Sequence, residues 1–130
     1  MKIAVAYWND RIAPVFDTAR RILVIDAEAG RIVRENDRPL PTGGAVQKAL
    51  ALVELGVDML ICGAISRPLG GLVSAYGIRV IPFVAGDLRE VLREWFDGNR
   101  MLDGFAMPGC RGRNRRRARG KQKNYRRRRP

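Results

Sequence analysis

Histidine is absent from this sequence. Its absence removes imidazole from general acid–base work, from serine or cysteine nucleophile systems, and from any zinc site with a His ligand. Cysteine is scarce, with Cys62 and Cys110 the 2 in 130 residues, too few for a disulfide framework. Long apolar runs are missing as well. The opening stretch Ile3 to Trp8 is broken by Asn9-Asp10-Arg11, shorter than a signal-peptide core and far below the roughly 20 residues of a membrane span. The expected compartment is therefore the cytoplasm. Finally, one end lacks acid: residues 111–130 contain no Asp or Glu.

That last gap explains the formal net charge of +12. Residues 1–110 hold 13 Lys/Arg and 13 Asp/Glu, whereas residues 111–130 hold 12 Lys/Arg and no acid. A length of 130 residues with 46% hydrophobic content suits one packed domain and is too short for two independent cores. The expected division is an α/β domain over residues 1–100, an extended segment over 101–110, and a basic tail over 111–130. With one aromatic residue, Tyr125, and almost nothing to bury, the tail is expected to be disordered.

Within the neutral part the hydrophobic period changes along the chain. Lys2 to Trp8 reads as a central strand and Asn9 to Thr18 as a loop. Arg20 to Ala27 is a second strand, and Glu28-Ala29-Gly30 turns into a third, from Arg31 to about Glu35. After a loop over Asp37 to Gly44, Val46, Ala49, Leu50 and Val53 recur at helical spacing, with Gly56 placed to end the helix. Val57 to Cys62 reads as a buried parallel strand. Ser66 is a plausible N-cap for a helix presenting Leu69, Leu72, Val73 and Tyr76. Ile78 to Phe83 is a fifth strand. Asp87 and Glu90 have capping-box spacing ahead of a helix that presents Leu88, Val91, Leu92, Trp95 and Phe96. The order βββαβαβα predicts a three-layer α/β domain: a mixed five-stranded sheet, order 3-2-1-4-5, strand two antiparallel, with helices on both faces. Trp8 and Trp95 are expected in the core or at its edge.

Strands one, three, four and five then end at one edge of the sheet. There the loops Asn9 to Thr18, Asp37 to Gly44, Gly63 to Pro68 and Pro82 to Gly86 converge, the usual ligand edge of an open α/β sheet. The second helix points its N-terminus there, with Arg67 beside it, a place that suits an anion. The plainer alternative is that Gly63, Ser66 and Pro68 only make a tight strand-to-helix turn. Cys62 ends the fourth strand at this edge, either as a soft ligand or as a small buried residue. Asp17 is either an oxygen ligand or a loop-closing residue, and Phe16 lines or plugs the site. Cys110 follows the third helix by about twelve residues, which reach roughly 40 Å when extended. It can fold back to the same site, serve a neighbouring subunit, or remain a thiol without a partner, with Arg111 and Arg113 expected to lower its pKa.

Five segments in order, MKIAVAY (Met1–Tyr7), IAPVFDTA (Ile12–Ala19), VDMLICGAISRP (Val57–Pro68), GIRVI (Gly77–Ile81) and MPGCRGR (Met107–Arg113), resemble the dinitrogenase iron–molybdenum cofactor biosynthesis family. The resemblance implies a ribonuclease-H-like sheet. It also implies a non-catalytic binding or carrier protein for an anionic iron–sulfur or iron–molybdenum type cluster or its precursor, exchanged with donor or acceptor proteins. Family members often carry a histidine in a His-Phe-Gly type motif after the first strand. Here that segment is Val15-Phe16-Asp17, and thiolate is the soft ligand that remains. The resulting candidates are Phe16, Asp17, Gly63, Ser66 and Arg67 around the cargo and Cys62 and Cys110 as metal ligands. Two thiolates do not complete a four-cysteine site, so exogenous ligands, Asp17 or a homodimer would have to supply the rest; a monomer and a homodimer both stay open.

The residues bear on two other functions. A two-metal nuclease needs clustered carboxylates, and Asp10, Asp17, Asp37 and Asp87 are spread over separate loops with none in the middle of a strand. The basic tail supports a different alternative, nonspecific binding of nucleic acid or of an acidic partner protein.

Overall fold

The structure is a computed structural model that describes residues 1–98 and 102–107. Six strands form one sheet: β1 (Lys2–Trp8), β2 (Arg11–Ile12), β3 (Arg21–Glu28), β4 (Arg31–Pro39), β5 (Met59–Ile61) and β6 (Arg79–Ile81). Their order is β4-β3-β1-β5-β6, with the two-residue β2 paired to β1. β3 lies antiparallel between β4 and β1, while β1, β5 and β6 are parallel. The expected order and the antiparallel second strand are thus both present, and β2 is an addition.

The sheet is central because its strands are apolar on both faces. Side chains alternate along a strand, so Ala4, Ala6, Ile22, Val24, Leu60 and Cys62 face one layer. Ile3, Val5, Leu23, Ile25, Met59 and Ile61 face the other. Helices α1 (Ala45–Glu54) and α2 (Arg67–Ala75) supply the first layer, with buried Leu52, Leu69 and Val73. Helix α3 (Leu88–Phe96) supplies the second with Leu88, Val91, Leu92 and Trp95. No described helix is long and apolar enough to cross a membrane.

Several boundaries differ from the expectation. The stretch expected to be a loop, Asn9 to Thr18, contains β2 and a 3-10 turn, Phe16–Thr18. Asn9 and Asp10, at φ 51° and 63°, reverse the chain in a two-residue hairpin, using residue types that tolerate the left-handed region. β4 continues to Pro39 instead of stopping near Glu35. It is an exposed edge strand, so polar Asn36, Asp37 and Arg38 do not interrupt it. Across this edge Asp37 accepts from Arg21 Nη2 at 2.8 Å and from Tyr7 Oη at 2.6 Å. The Arg21 guanidinium, and next the Tyr7 hydroxyl, hold the Asp37 carboxyl below its ordinary pKa.

Helix α1 presents a different face from the one its spacing suggests. Val46, Leu50 and Val53 are exposed, at 55%, 41% and 41%, and Lys48, Ala49 and Leu52 are buried. The cause is an apolar residue on almost every side of the helix, so periodicity does not choose between faces. Lys48 then turns inward for its hydrogen bonds. Trp8 is another correction: as the last residue of β1, beside the hairpin, it is 65% exposed, whereas Trp95 is fully buried as expected. Beyond residue 100 the packed unit continues. Leu102 is buried on the α3 side, Asp103–Phe105 form a 3-10 turn, and Ala106 bridges Val84.

Candidate functional site

The carboxyl ends of β1, β5 and β6 and the loops that follow them are stitched together by backbone hydrogen bonds. Phe16 N–H donates to Ala64 O at 2.8 Å, and Ala64 N–H returns one to Pro14 O at 2.8 Å. Phe83 N–H donates to Gly63 O at 2.9 Å and Ile12 N–H to Gly86 O at 2.9 Å. Gly63 stands where the first two loops cross: a Cβ there would lie 2.4 Å from Pro14 O and 2.5 Å from Ala13 O. The glycine is required by this approach of two backbones.

Asp17 joins the same two loops through its side chain. Its Oδ1 accepts from Ser66 N–H at 2.9 Å and its Oδ2 from the Ser66 hydroxyl at 2.5 Å. Ser66 Oγ in turn accepts from Leu69 N–H at 3.4 Å, the expected N-cap of α2. Asp17 is therefore a clamp between loops 49 residues apart, rather than an Asx turn closing its own loop. The positive end of α2, which the sequence offers to an anion, receives a carboxylate from its own chain. Arg67, the first helical residue, is exposed beside it.

Beneath the loops lie groups of opposite character. Phe16 is fully buried in the α1/α2 layer and neither lines nor plugs an open cavity. Lys48, 2% exposed, stands over its ring at 5.8 Å. Its ammonium donates to Ala19 O at 2.7 Å and to Pro41 O at 3.0 Å, tying the loop before β3 to the loop after β4. Burial pushes its pKa down, and the Asp17 carboxylate opposes that. Residue type gave no signal for this role. A lysine on a helix is ordinarily read as a solvated position, and its two acceptors lie 29 and 7 residues away, in separate loops.

Cys62 is also fully buried, and its backbone is bonded on both sides, to Ile81 O and from Val84 N–H, each at 3.0 Å. Burial, with Asp17 adding to it, pushes the thiol from 9.0 to about 12. Of the two expectations for Cys62, its burial matches the small buried core residue, a setting in which desolvation disfavours the thiolate. Since the native state holds that proton more tightly, Cys62 contributes stability that is complete below about pH 9 and is lost as pH rises toward 12. We expect an aromatic disulfide reagent at pH 8 to leave Cys62 unmodified in the native Cys110→Ser protein and to titrate it after denaturation. Rapid modification of Cys62 in the folded Cys110→Ser protein would refute its burial.

With this geometry in place, a model of the family described as "Dinitrogenase iron-molybdenum cofactor" matches residues 1–98. The chain belongs to the dinitrogenase iron–molybdenum cofactor family. Among solved structures the chain is similar to the one named PH0822, at 18% identity over 75% of this chain and 90% of that one, TM-score 0.71. It is similar to a Methanocaldococcus jannaschii protein, at 17% identity over 75% and 89%, TM-score 0.60. The apo form of the orange protein from Desulfovibrio gigas is a third, at 23% identity over 75% and 88%, TM-score 0.63. Likeness at these identities establishes the fold, the ribonuclease-H-like α/β architecture. No curated protein matches.

Measured against the cargo in this family's description, the described residues contain no cluster of three or more His, Cys, Asp or Glu able to hold a metal ion. The acids at the loop edge are engaged one by one: Asp17 with Ser66, Asp37 with Arg21 and Tyr7, and Asp87 capping α3 through Glu90 N–H at 3.0 Å. That separation also removes the two-metal nuclease arrangement from the described residues. A multidentate protein cage for a metal is thus not present in residues 1–98 and 102–107. Cys110 and the basic tail lie outside the described residues. The path toward Cys110 is nevertheless fixed at its start, because Met107 N–H donates to Phe83 O at 2.8 Å and Phe83 N–H donates to Gly63 O. Met107 therefore sits at the loop edge.

Proposed function

We propose that this family member is a non-catalytic carrier for an anionic metal–sulfur cluster or cluster precursor. The cargo docks on the loop edge formed by Asp17, Gly63–Arg67 and the segment ending at Met107, above the buried Phe16 ring. The observation that carries this reading, given the family, is the route of the chain after α3. Two residues, Pro108 and Gly109, separate Met107 from Cys110, a reach of about 10 Å over three steps of the chain, so the second cysteine is tethered within reach of the edge that carries Arg67 and the start of α2. A thiolate there suits iron, and Arg67 with the helix dipole offsets the negative charge of the cargo. One thiolate does not satisfy a cluster, so the cargo arrives with its own inorganic ligands, held chiefly by charge and passed between donor and acceptor proteins. Asp17 is both clamp and gate: an anion that reaches the amides of α2 displaces its carboxylate from Ser66.

Anaerobic uptake of a supplied iron–sulfur or thiomolybdate species, followed by visible absorbance and metal analysis, tests this. Cys110→Ser and Arg67→Ala are each expected to weaken uptake about tenfold, the effect of one charge-assisted contact. Cys62→Ala should leave uptake unchanged, since that thiol is buried and protonated. If the Cys110→Ser, Arg67→Ala double variant loads as well as the parent, the loop edge is not the site.

A further inference from the structure

We propose that residues 111–130 bind nucleic acid through its phosphates, without base readout, as an activity separate from cargo carriage on the loop edge. The charge is segregated, not merely high. Residues 1–110 are balanced at 13 basic and 13 acidic, so the 12 basic residues of the arm carry the entire excess. Twelve charges in 20 residues place one cation per 6 Å of extended chain or less, about 3.5 Å being covered by each residue. Matching that density along the whole arm takes a polyanion charged at every unit. A nucleic-acid strand, with one phosphate per 3.4 Å, meets the requirement. An acidic patch on a folded protein offers a few carboxylates and leaves most of the arm unpaired.

The kind of cation points the same way. Ten of the 12 are Arg and 2 are Lys. The planar guanidinium forks onto phosphate oxygens and also stacks on base faces, whereas an ammonium is a compact point charge. Tyr125, followed by Arg126 to Arg129, adds one ring for base stacking. Nothing in the segment has the spacing of a groove-reading helix with its own core, so affinity follows charge and not sequence.

The test uses the full chain. Fluorescence anisotropy with a labelled 20-nucleotide RNA and a 20-base-pair DNA, each in two unrelated sequences, is measured between 50 and 200 mM KCl. With six to ten phosphates contacted, affinity for the duplex should fall about 10³- to 10⁵-fold across that range. The two sequences of each probe should bind alike. Replacing Arg115, Arg116, Arg117 and Arg126 to Arg129 with Gln in the full-length protein should reduce the slope of log affinity against log salt by up to about 6 on duplex DNA. The thermal midpoint of that variant should match the parent. Absence of binding at 50 mM KCl, a slope unchanged by the seven substitutions, or displacement of the probe by polyglutamate at equal charge concentration would each overturn the assignment, the last in favour of an acidic polypeptide. Cargo uptake by the seven-substitution variant should equal that of the parent, which separates failure of this proposal from failure of the carrier reading.

Discussion

Gly63→Ala is expected to destabilise the domain by about 3 kcal/mol, the upper part of the range for overpacking a tight site, and to lower the thermal midpoint by roughly 12–24 °C. The added methyl would meet Pro14 O at 2.4 Å and Ala13 O at 2.5 Å. Neither oxygen is the end of a flexible side chain. Both belong to a backbone pinned by the Ala64–Pro14 and Phe16–Ala64 hydrogen bonds and by Ala13 N–H on Ala6 O. Relief therefore needs the loop carrying Phe16 and Asp17 to lift from the start of α2, which breaks the Asp17–Ser66 clamp as well. The control is Gly71→Ala, in the middle of α2 with nothing within 4 Å of its added Cβ. There the substitution should stabilise by about 0.5–1 kcal/mol, through the helix preference of Ala over Gly. Equal midpoints for the two variants, measured by calorimetry, would show that the crossing at Gly63 has slack the structure does not suggest.

Lys48→Met should cost about 1–3 kcal/mol, from the buried Ala19 carbonyl and the part-buried Pro41 carbonyl left without the ammonium, while the Met side chain fills most of the space of the lysine stem. Ala19 O and Pro41 O lose the ammonium at 2.7 Å and 3.0 Å, and Phe16 loses the cation above its ring. Lys48→Ala should cost more, because it also empties the volume of the stem. Amide hydrogen exchange gives the more informative readout. In the Met variant, protection should fall first in residues 13–20 and 40–44, the two loops the ammonium ties together, ahead of β1 and β5. Uniform loss of protection would mean that Lys48 supports the core as a whole and not the loop edge in particular.

The parts of this fold legible in the sequence are those decided within a few residues. Ser66 and Asp87 cap the helices that follow them, because the bond each makes is to an amide three residues on. The strands β1, β3 and β5 are legible because runs such as Ile22-Leu23-Val24-Ile25 must bury both faces, which demands layers on either side of one sheet. A chain with that element order has few ways to place them, and the right-handed crossover leaves β1 beside β5. The convergence of the loops at one edge then follows from strand direction alone.

What each side chain does at that edge was settled by contacts between distant residues. Asp17 reaches Ser66 across 49 positions, and Lys48 reaches Ala19 across 29. Periodicity carries no information about such pairs. For α1 it pointed to Val46, Ala49, Leu50 and Val53, of which Ala49 alone is buried, since apolar residues surround that helix and the spacing does not choose between its faces. Cys62 shows the same division from the other direction. Its position at the end of a strand was plain from the sequence, but whether its sulfur met solvent depended on the packing of the α1/α2 layer, where it lies fully buried. The layers, the strand order, the missing imidazole and the segregation of charge into residues 111–130 follow from local composition and chain direction, and are legible from the sequence alone. Which polar groups hold the loop edge together follows from the folded contacts alone, because a hydrogen bond or a desolvated thiol depends on atoms brought near by the fold and not by the chain.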